Sequence, residues 1–189
     1  GSMDQLDYNT PAPEKWPEVC RTVAKLMRSL PKLDRVQVIT FGPKFAYPLG
    51  SDGKWLDAKT TPAEVEKALA AIKPKEGTNM YVAFNEAFKF RKDGLDTIYL
   101  FSDGLPTSGP GLTAAQQNAN PPLGETELGL ILGKHVRDTL VRTRNRPEAG
   151  KPRVKINSVG FSFESPDVGA FLCSLSREND GSFVGMSRP

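Results

Sequence analysis

The sequence predicts a doubly wound α/β fold: a mostly parallel sheet with helices on both faces and one antiparallel edge strand. Three observations carry this. The run TIYLFSDG, 97 to 104, is almost continuously apolar and stops abruptly at Ser102, Asp103 and Gly104, the pattern of a strand buried on both faces within a helix-covered parallel sheet. Apolar residues at helical spacing flank it, Phe84 and Phe88 before and Leu128, Leu132, Val136 and Leu140 after. Further strand-like runs, 153 to 163 and 181 to 186, alternate with another helical pattern, so helices fill the crossovers between parallel strands.

Each element has a local reason. Residues 4 to 14 are polar and Pro-containing and read as a loop. Val19, Val23, Leu26 and Leu30 then predict a helix from about 14 to 30, stopped by Pro31. RVQVITFG (35 to 42) and KFAYPL (44 to 49) are joined by Pro43 alone. That connection is too short for a parallel crossover, so the two pair antiparallel, the second at an edge because Pro48 cannot donate to a ladder. Thr61, Pro62 and Glu64 stand as N-cap, N1 and N3 of a helix bearing Val65, Leu69 and Ile72. A short helix follows Gly77, Thr78 and Asn79. Residues 105 to 124, rich in Gly, Pro and Asn, form a long loop of the kind that is usually functional. A helix from Glu125 to about Asn145 leads into the strand at 153 to 163. Ser165 caps the last helix, with Val168, Phe171, Leu172 and Leu175 inward, before the closing strand.

Composition narrows the chemistry. A net charge of +3, from 25 basic and 22 acidic residues, is too small and too evenly spread for a nucleic-acid-binding surface. No apolar run approaches the ~18 residues of a membrane span, and no leader pattern opens the sequence, so membrane insertion by this segment is not expected. Cys20 and Cys173 lack metal-ligand spacing and read as reduced, buried side chains; with His135 the sole histidine, zinc sites and His-based triads are disfavoured. His135 lies between Leu132 and Val136 and reads as a partly buried helix residue. Arg137, Arg142, Arg144 and Arg146 give the long helix a basic end that complements its dipole and reads as a solvated face. Trp16 and Trp55 read as ordinary core or loop residues.

In open α/β sheets, ligands sit outside the carboxyl ends of the strands. Asp103 follows such a strand, and Gly104 lets the chain turn away from it. It reads either as the cap of that turn or as a carboxylate presented at the sheet edge. Thr78, ahead of a helix, reads either as that helix's cap or as a hydroxyl turned to the same edge.

GTNMYVAF (77 to 84), IYLFSDGLPT (98 to 107) and GSFVGM (181 to 186) together resemble the von Willebrand factor type A domain, a resemblance that covers nearly the whole chain. It implies a metal-ion-dependent adhesion site at the top of the sheet, with ligands from an Asp-x-Ser-x-Ser motif after the first strand, a threonine like Thr78 and an aspartate like Asp103. Oxygen donors suit magnesium or manganese. Gly77, Asn79, Gly104 and Pro106 would then flank the cation and touch a partner. The front of the motif departs from the family. Gly1, Ser2 and Met3 read either as the end of Ser-Gly-Ser-Met, making Ser2 the third ligand, or as a cloning remnant before a start methionine. The first reading suits the distance from Met3 to the helix at Trp16. In both, the ligand set is incomplete.

The expectation is therefore one domain over 1–189 lacking its N-terminal central strand. Buried backbone groups left unpaired cost roughly 1 to 3 kcal/mol each, so the gap between 35–42 and 96–102 must be closed. The options, in order of preference, are an upstream segment, a strand from a neighbouring molecule, or direct pairing of the two. Functionally, the sequence favours a non-catalytic module that binds a protein partner through sheet-top loops, the partner's Asp or Glu completing the cation shell. The alternatives are a metal-dependent hydrolase using Asp103, weakened by the lack of a second acid, base or nucleophile in any recognisable motif, and a metal-free assembly domain.

Overall fold

The computed structural model describes residues 13–50, 53–59, 61–74, 77–148, 150–161 and 165–186, with residue 3 and the backbone of 5–7 and 10–11. The chain divides into two compact units, Gly1–Glu76 and Gly77–Pro189.

In the first unit, β1 (Gln5–Asp7) and β2 (Thr10–Pro11) pair antiparallel. This corrects the loop expected there: the ladder is too short to leave a period-two pattern in the sequence. Helix α1 (Lys15–Ser29) forms as its apolar spacing requires. The run 35–42 does not form one strand. β3 (Arg35–Val36) pairs antiparallel with β6 (Leu56–Asp57), and β4 (Thr40–Phe41) pairs antiparallel with β5 (Phe45–Ala46). Gln37 is the reason for the break. Its side-chain oxygen accepts from the Val38 N–H at 2.7 Å and its amide donates to the Lys54 carbonyl, substituting side-chain bonds for ladder bonds. The hairpin around Pro43 is thus antiparallel as expected, but it stands as a two-stranded ladder of its own rather than as the edge of the parallel sheet.

Helix α2 (Pro62–Ala70) starts at Thr61 and Pro62, yet no capping box forms. Thr61 has helical dihedrals, and its hydroxyl donates to the Asp57 carbonyl instead of receiving an N–H of the first turn. The helices α1 and α2 close a core of Cys20, Met27, Val65 and Leu69, with Val36, Val38 and Leu49 packed against it. The Trp16 indole N–H donates to the Leu69 carbonyl at 3.0 Å, a side chain–backbone bond between the two helices.

In the second unit, α3 (Met80–Ala87) tightens into a 3-10 turn over Phe88–Asp93 and stops at Gly94, whose φ of 93° the turn requires. Then follow β7 (Thr97–Ser102), the short α4 (Ala114–Gln117), α5 (Glu125–Thr139), β8 (Lys155–Phe161), α6 (Pro166–Arg177) and β9 (Phe183–Met186). The sheet order is β7-β8-β9, every pair parallel, with a helix in each crossover. This is the helix-flanked parallel sheet that the sequence predicts. Ser165 caps α6 by accepting the Asp167 N–H at 3.2 Å. Phe101 stacks on Phe161, its diagonal neighbour across the β7–β8 seam, with ring centres 6.0 Å apart. Two features were not expected from the sequence: α4, closed by a Thr113–Gln116 capping box, and a π turn over Leu140–Arg144 that continues α5.

Among the described residues, β3 and β4 pair with β6 and β5, so direct pairing of 35–42 with 96–102 is not made, and the outer edge of β7 carries no strand. No described helix is long and apolar enough to cross a membrane.

Two fully buried asparagines fix where β8 begins. Asn145 donates to the Val154 carbonyl at 2.8 Å and accepts the Val154 N–H at 2.8 Å, replacing the ladder bonds that residue lacks. It also donates to Asn179 Oδ1 at 2.9 Å, while Asn179 donates to the Leu175 carbonyl at the end of α6. Asn145→Ala leaves Val154 and Asn179 groups buried and unpaired, so chemical denaturation should show a loss of about 3 kcal/mol. Gly181→Ala should be worse, because its methyl would lie 1.9 Å from the Ile156 carbonyl oxygen.

Both cysteines are free thiols, Cys20 buried and Cys173 half-buried. Burial pushes the Cys20 thiol up. The fold therefore favours its protonated form, and the stability this gives is present below the unfolded thiol's pKa of about 8.5 and lost as pH rises beyond it. Native Cys20 should resist a thiol reagent at pH 8 on the timescale over which the denatured chain reacts completely.

Candidate functional site

The loop that opens α3 and the loop that leaves β7 are tied together. The Thr78 N–H donates to Thr107 Oγ1 at 2.8 Å, and the Thr78 carbonyl accepts the N–H of Thr107 at 2.9 Å and of Ser108 at 3.4 Å. Thr107 lies five residues beyond the end of β7, so these bonds bring Thr78 to the carboxyl end of the sheet. Among the described residues the Thr78 hydroxyl makes no hydrogen bond.

The helix cap is not Thr78. Asn79 Oδ1 accepts the Val82 N–H at 3.2 Å and caps α3, leaving Thr78 outside the helix. In the turn after β7 the Ser102 hydroxyl donates to the Gly104 carbonyl at 3.1 Å and accepts the Gly104 N–H at 3.4 Å. Asp103 and Gly104 are half-exposed at that turn, as are Gly77 and Asn79 in the other loop. Pro106 is fully buried. Its ring anchors the loop and offers no contact surface, which corrects its expected role. Ser2 lies outside the described residues.

The same loop is pressed onto α3 and α5. A methyl on Gly109 would lie 3.1 Å from Asn79 Oδ1 and 3.6 Å from Tyr81 Cβ. Gly111, with φ of 132°, passes so close to α5 that a methyl there would sit 2.7 Å from His135 Cβ. His135 in turn packs its ring on Tyr81, centres 5.6 Å apart. The sequence-level view of His135 as a half-buried helix residue holds, but its role in seating this loop was not visible. Thr107 was missed too; as the acceptor for Thr78 it does more to define the site than any flanking residue named from the sequence.

The donor chemistry is plain. Across 77–79 and 102–113 the only ionisable side chain is Asp103. The remaining polar groups are hydroxyls and amides, including Ser108 Oγ, buried without a hydrogen-bond partner. Among the described residues no group of three His, Cys, Asp or Glu side chains is placed to hold a metal, so any cation here would rely on hydroxyls, one carboxylate and water.

No family model and no curated protein matches the sequence. Solved structures do match the fold. A von Willebrand factor type A protein from Catenulispora acidiphila superposes with a TM-score of 0.62 at 14% identity, over 93% of this chain and 35% of that one. A conserved hypothetical protein, BatB, from Bacteroides thetaiotaomicron gives 0.54 at 13% identity, over 100% of this chain and 86% of that one. A point mutant of the PilB minor pilin from Streptococcus sanguinis gives 0.65 at 12% identity, over 100% of this chain and 55% of that one. The chain thus has the von Willebrand factor type A fold, as its motifs implied, and spans about a third of the length of the first of these structures.

Two substitutions test the seating of the loop. Thr107→Val removes the acceptor for the Thr78 N–H and should speed hydrogen exchange at that amide about tenfold, the equivalent of one hydrogen bond of ~1.4 kcal/mol. Gly111→Ala should shift the His135 ring resonances while the sheet stays intact.

Proposed function

We propose that the chain is a non-catalytic protein-binding module whose loops at the carboxyl end of β7 hold a divalent cation, magnesium or manganese. Thr78 and Asp103 would be ligands, and Ser2 is the third that the family resemblance implies. The observation that supports this best is the reciprocal bonding of Thr78 with Thr107, which ties the loop bearing an unengaged hydroxyl to the loop that begins at Asp103.

The donor set fits such an ion. Hydroxyl and carboxylate oxygens are hard ligands, and magnesium keeps several of its waters, so few protein ligands suffice. The orphaned Ser108 hydroxyl shows that this region holds an oxygen lone pair not satisfied by the protein itself. One carboxylate leaves the ion with net positive charge, and that charge would attract an Asp or Glu side chain from a partner. Gly77, Asn79 and Gly104, half-exposed around the site, would be the nearest surfaces to that partner.

Asp103→Ala should abolish magnesium- or manganese-dependent partner capture and calorimetric binding of manganese alone. Its effect on the melt should be small, since removal of one surface carboxylate costs under ~1 kcal/mol. Thr78→Val should weaken manganese binding with the fold unchanged. Partner capture that survives both Asp103→Ala and a chelator would replace this reading with that of a metal-free assembly domain.

A further inference from the structure

The parallel order of β7 and β8 places their amino ends at one edge of the sheet, about 20 Å from Asp103 at ~3.3 Å per residue. The segments that enter those strands, 86–93 and 142–153, carry eight cationic side chains against three carboxylates, a net +5 where the whole chain has +3. They meet in a groove of about 310 Å3, with Phe88 in its lining and Lys89, Arg91, Lys92, Arg144 and Lys151 around it.

The groove is built rather than incidental. Arg91, about nine-tenths buried, donates from Nη1 to the Arg144 carbonyl and from Nη2 to the Arg146 carbonyl, both at 2.7 Å. Its fork thus caps the carbonyls at the end of the π turn and fixes the backbone on which Arg144 stands. Arg91 Nε is buried without a hydrogen-bond partner, while its Nη1 lies 3.7 Å from Glu148 Oε1, so this guanidinium is held by the fold and Glu148 is shared between Arg91 and Lys151. Two lysines at the rim are already matched: Lys89 with Glu86 at 2.6 Å, and Lys151 with Glu148 at 3.4 Å. Among the described residues, Lys92 and Arg144 have no carboxylate within ion-pair distance.

We propose that this groove binds an acidic segment of a partner polypeptide, with its carboxylates seated between Lys92 and Arg144. Charge complementarity selects the occupant. The groove already accommodates carboxylates on its own lysines, and the Arg144 guanidinium matches a carboxylate in bidentate fashion. Glu148 interrupts the cations within the lining, and Glu86 is paired with Lys89, which disfavours a phosphodiester chain that needs an unbroken basic track. This surface is separate from the loops at the other end of the sheet, and its occupancy does not depend on a cation there.

A fluorescein-labelled hexaglutamate peptide, titrated with the full chain and followed by anisotropy, tests the proposal. Binding should weaken as salt rises, and the pair Lys92→Glu with Arg144→Glu should reduce affinity at least tenfold. The milder Lys92→Gln and Arg144→Gln should each reduce it about threefold, which guards against a folding defect in the charge reversals. Lys25→Glu, an exposed charge reversal on α1, should leave it unchanged. No binding at low salt, binding insensitive to these variants, or tighter binding of a hexathymidylate or of inorganic phosphate than of the peptide would overturn it.

Discussion

The fold of the second unit turns on the amide of Asn145. A parallel strand entered from a helix has backbone groups at its start that no ladder reaches, and here they belong to Val154, which is fully buried. Asn145 supplies both the donor and the acceptor that Val154 needs, and it passes a further bond to Asn179. The Asn179 carbonyl accepts the Ile156 N–H at 3.1 Å. The segments that end α5 and α6 are therefore pinned to Val154 and Ile156 at the start of β8. The Arg137–Glu178 ion pair links the same two helices. With β8 placed, the pairing partners of β7 and β9 on its two sides follow from register alone.

The parts of this architecture legible in the sequence are those in which one period dominates. β7 is a nearly continuous apolar run, and α1, α5 and α6 repeat their apolar residues every three or four positions, so hydrophobic burial dictates both type and place. The parts that were not legible are decided by single polar side chains. Gln37 breaks an otherwise well-patterned strand by bonding to backbone, and nothing in alternation reveals it. Thr61 stands in an apparent capping box and spends its hydroxyl elsewhere. Thr113 and Gln116 do make such a box, and that signal was present in the loop but outweighed by its Gly and Pro content.

The candidate site shows the same division. Asp103 and Thr78 could be singled out because each follows or precedes an element whose position the sequence makes plain. Thr107 and the Tyr81–His135 pair were not, because their roles arise from contacts between loops distant in the chain. A motif marks the residues that touch a ligand more readily than those that hold them in place. The two ends of the sheet also differ in electrostatic character: one has a single carboxylate among hydroxyls, the other a dense set of cations. A partner with an acidic surface would be drawn first to the basic end, since long-range steering follows net charge rather than local fit.

The bare edge of β7 has a consequence for how the chain reaches this state. Thr97 finds its partner, Lys155, only 58 positions further on, so the sheet closes late and through distant contacts, the slow regime of folding. Until then β7 offers unpaired backbone on both sides, and its apolar sequence carries neither the lysines nor the prolines that shield natural edges. Even after β8 docks, one side stays open among the described residues. Yield on refolding is therefore governed by protein concentration, through a competition between closure within one chain and strand capture between chains.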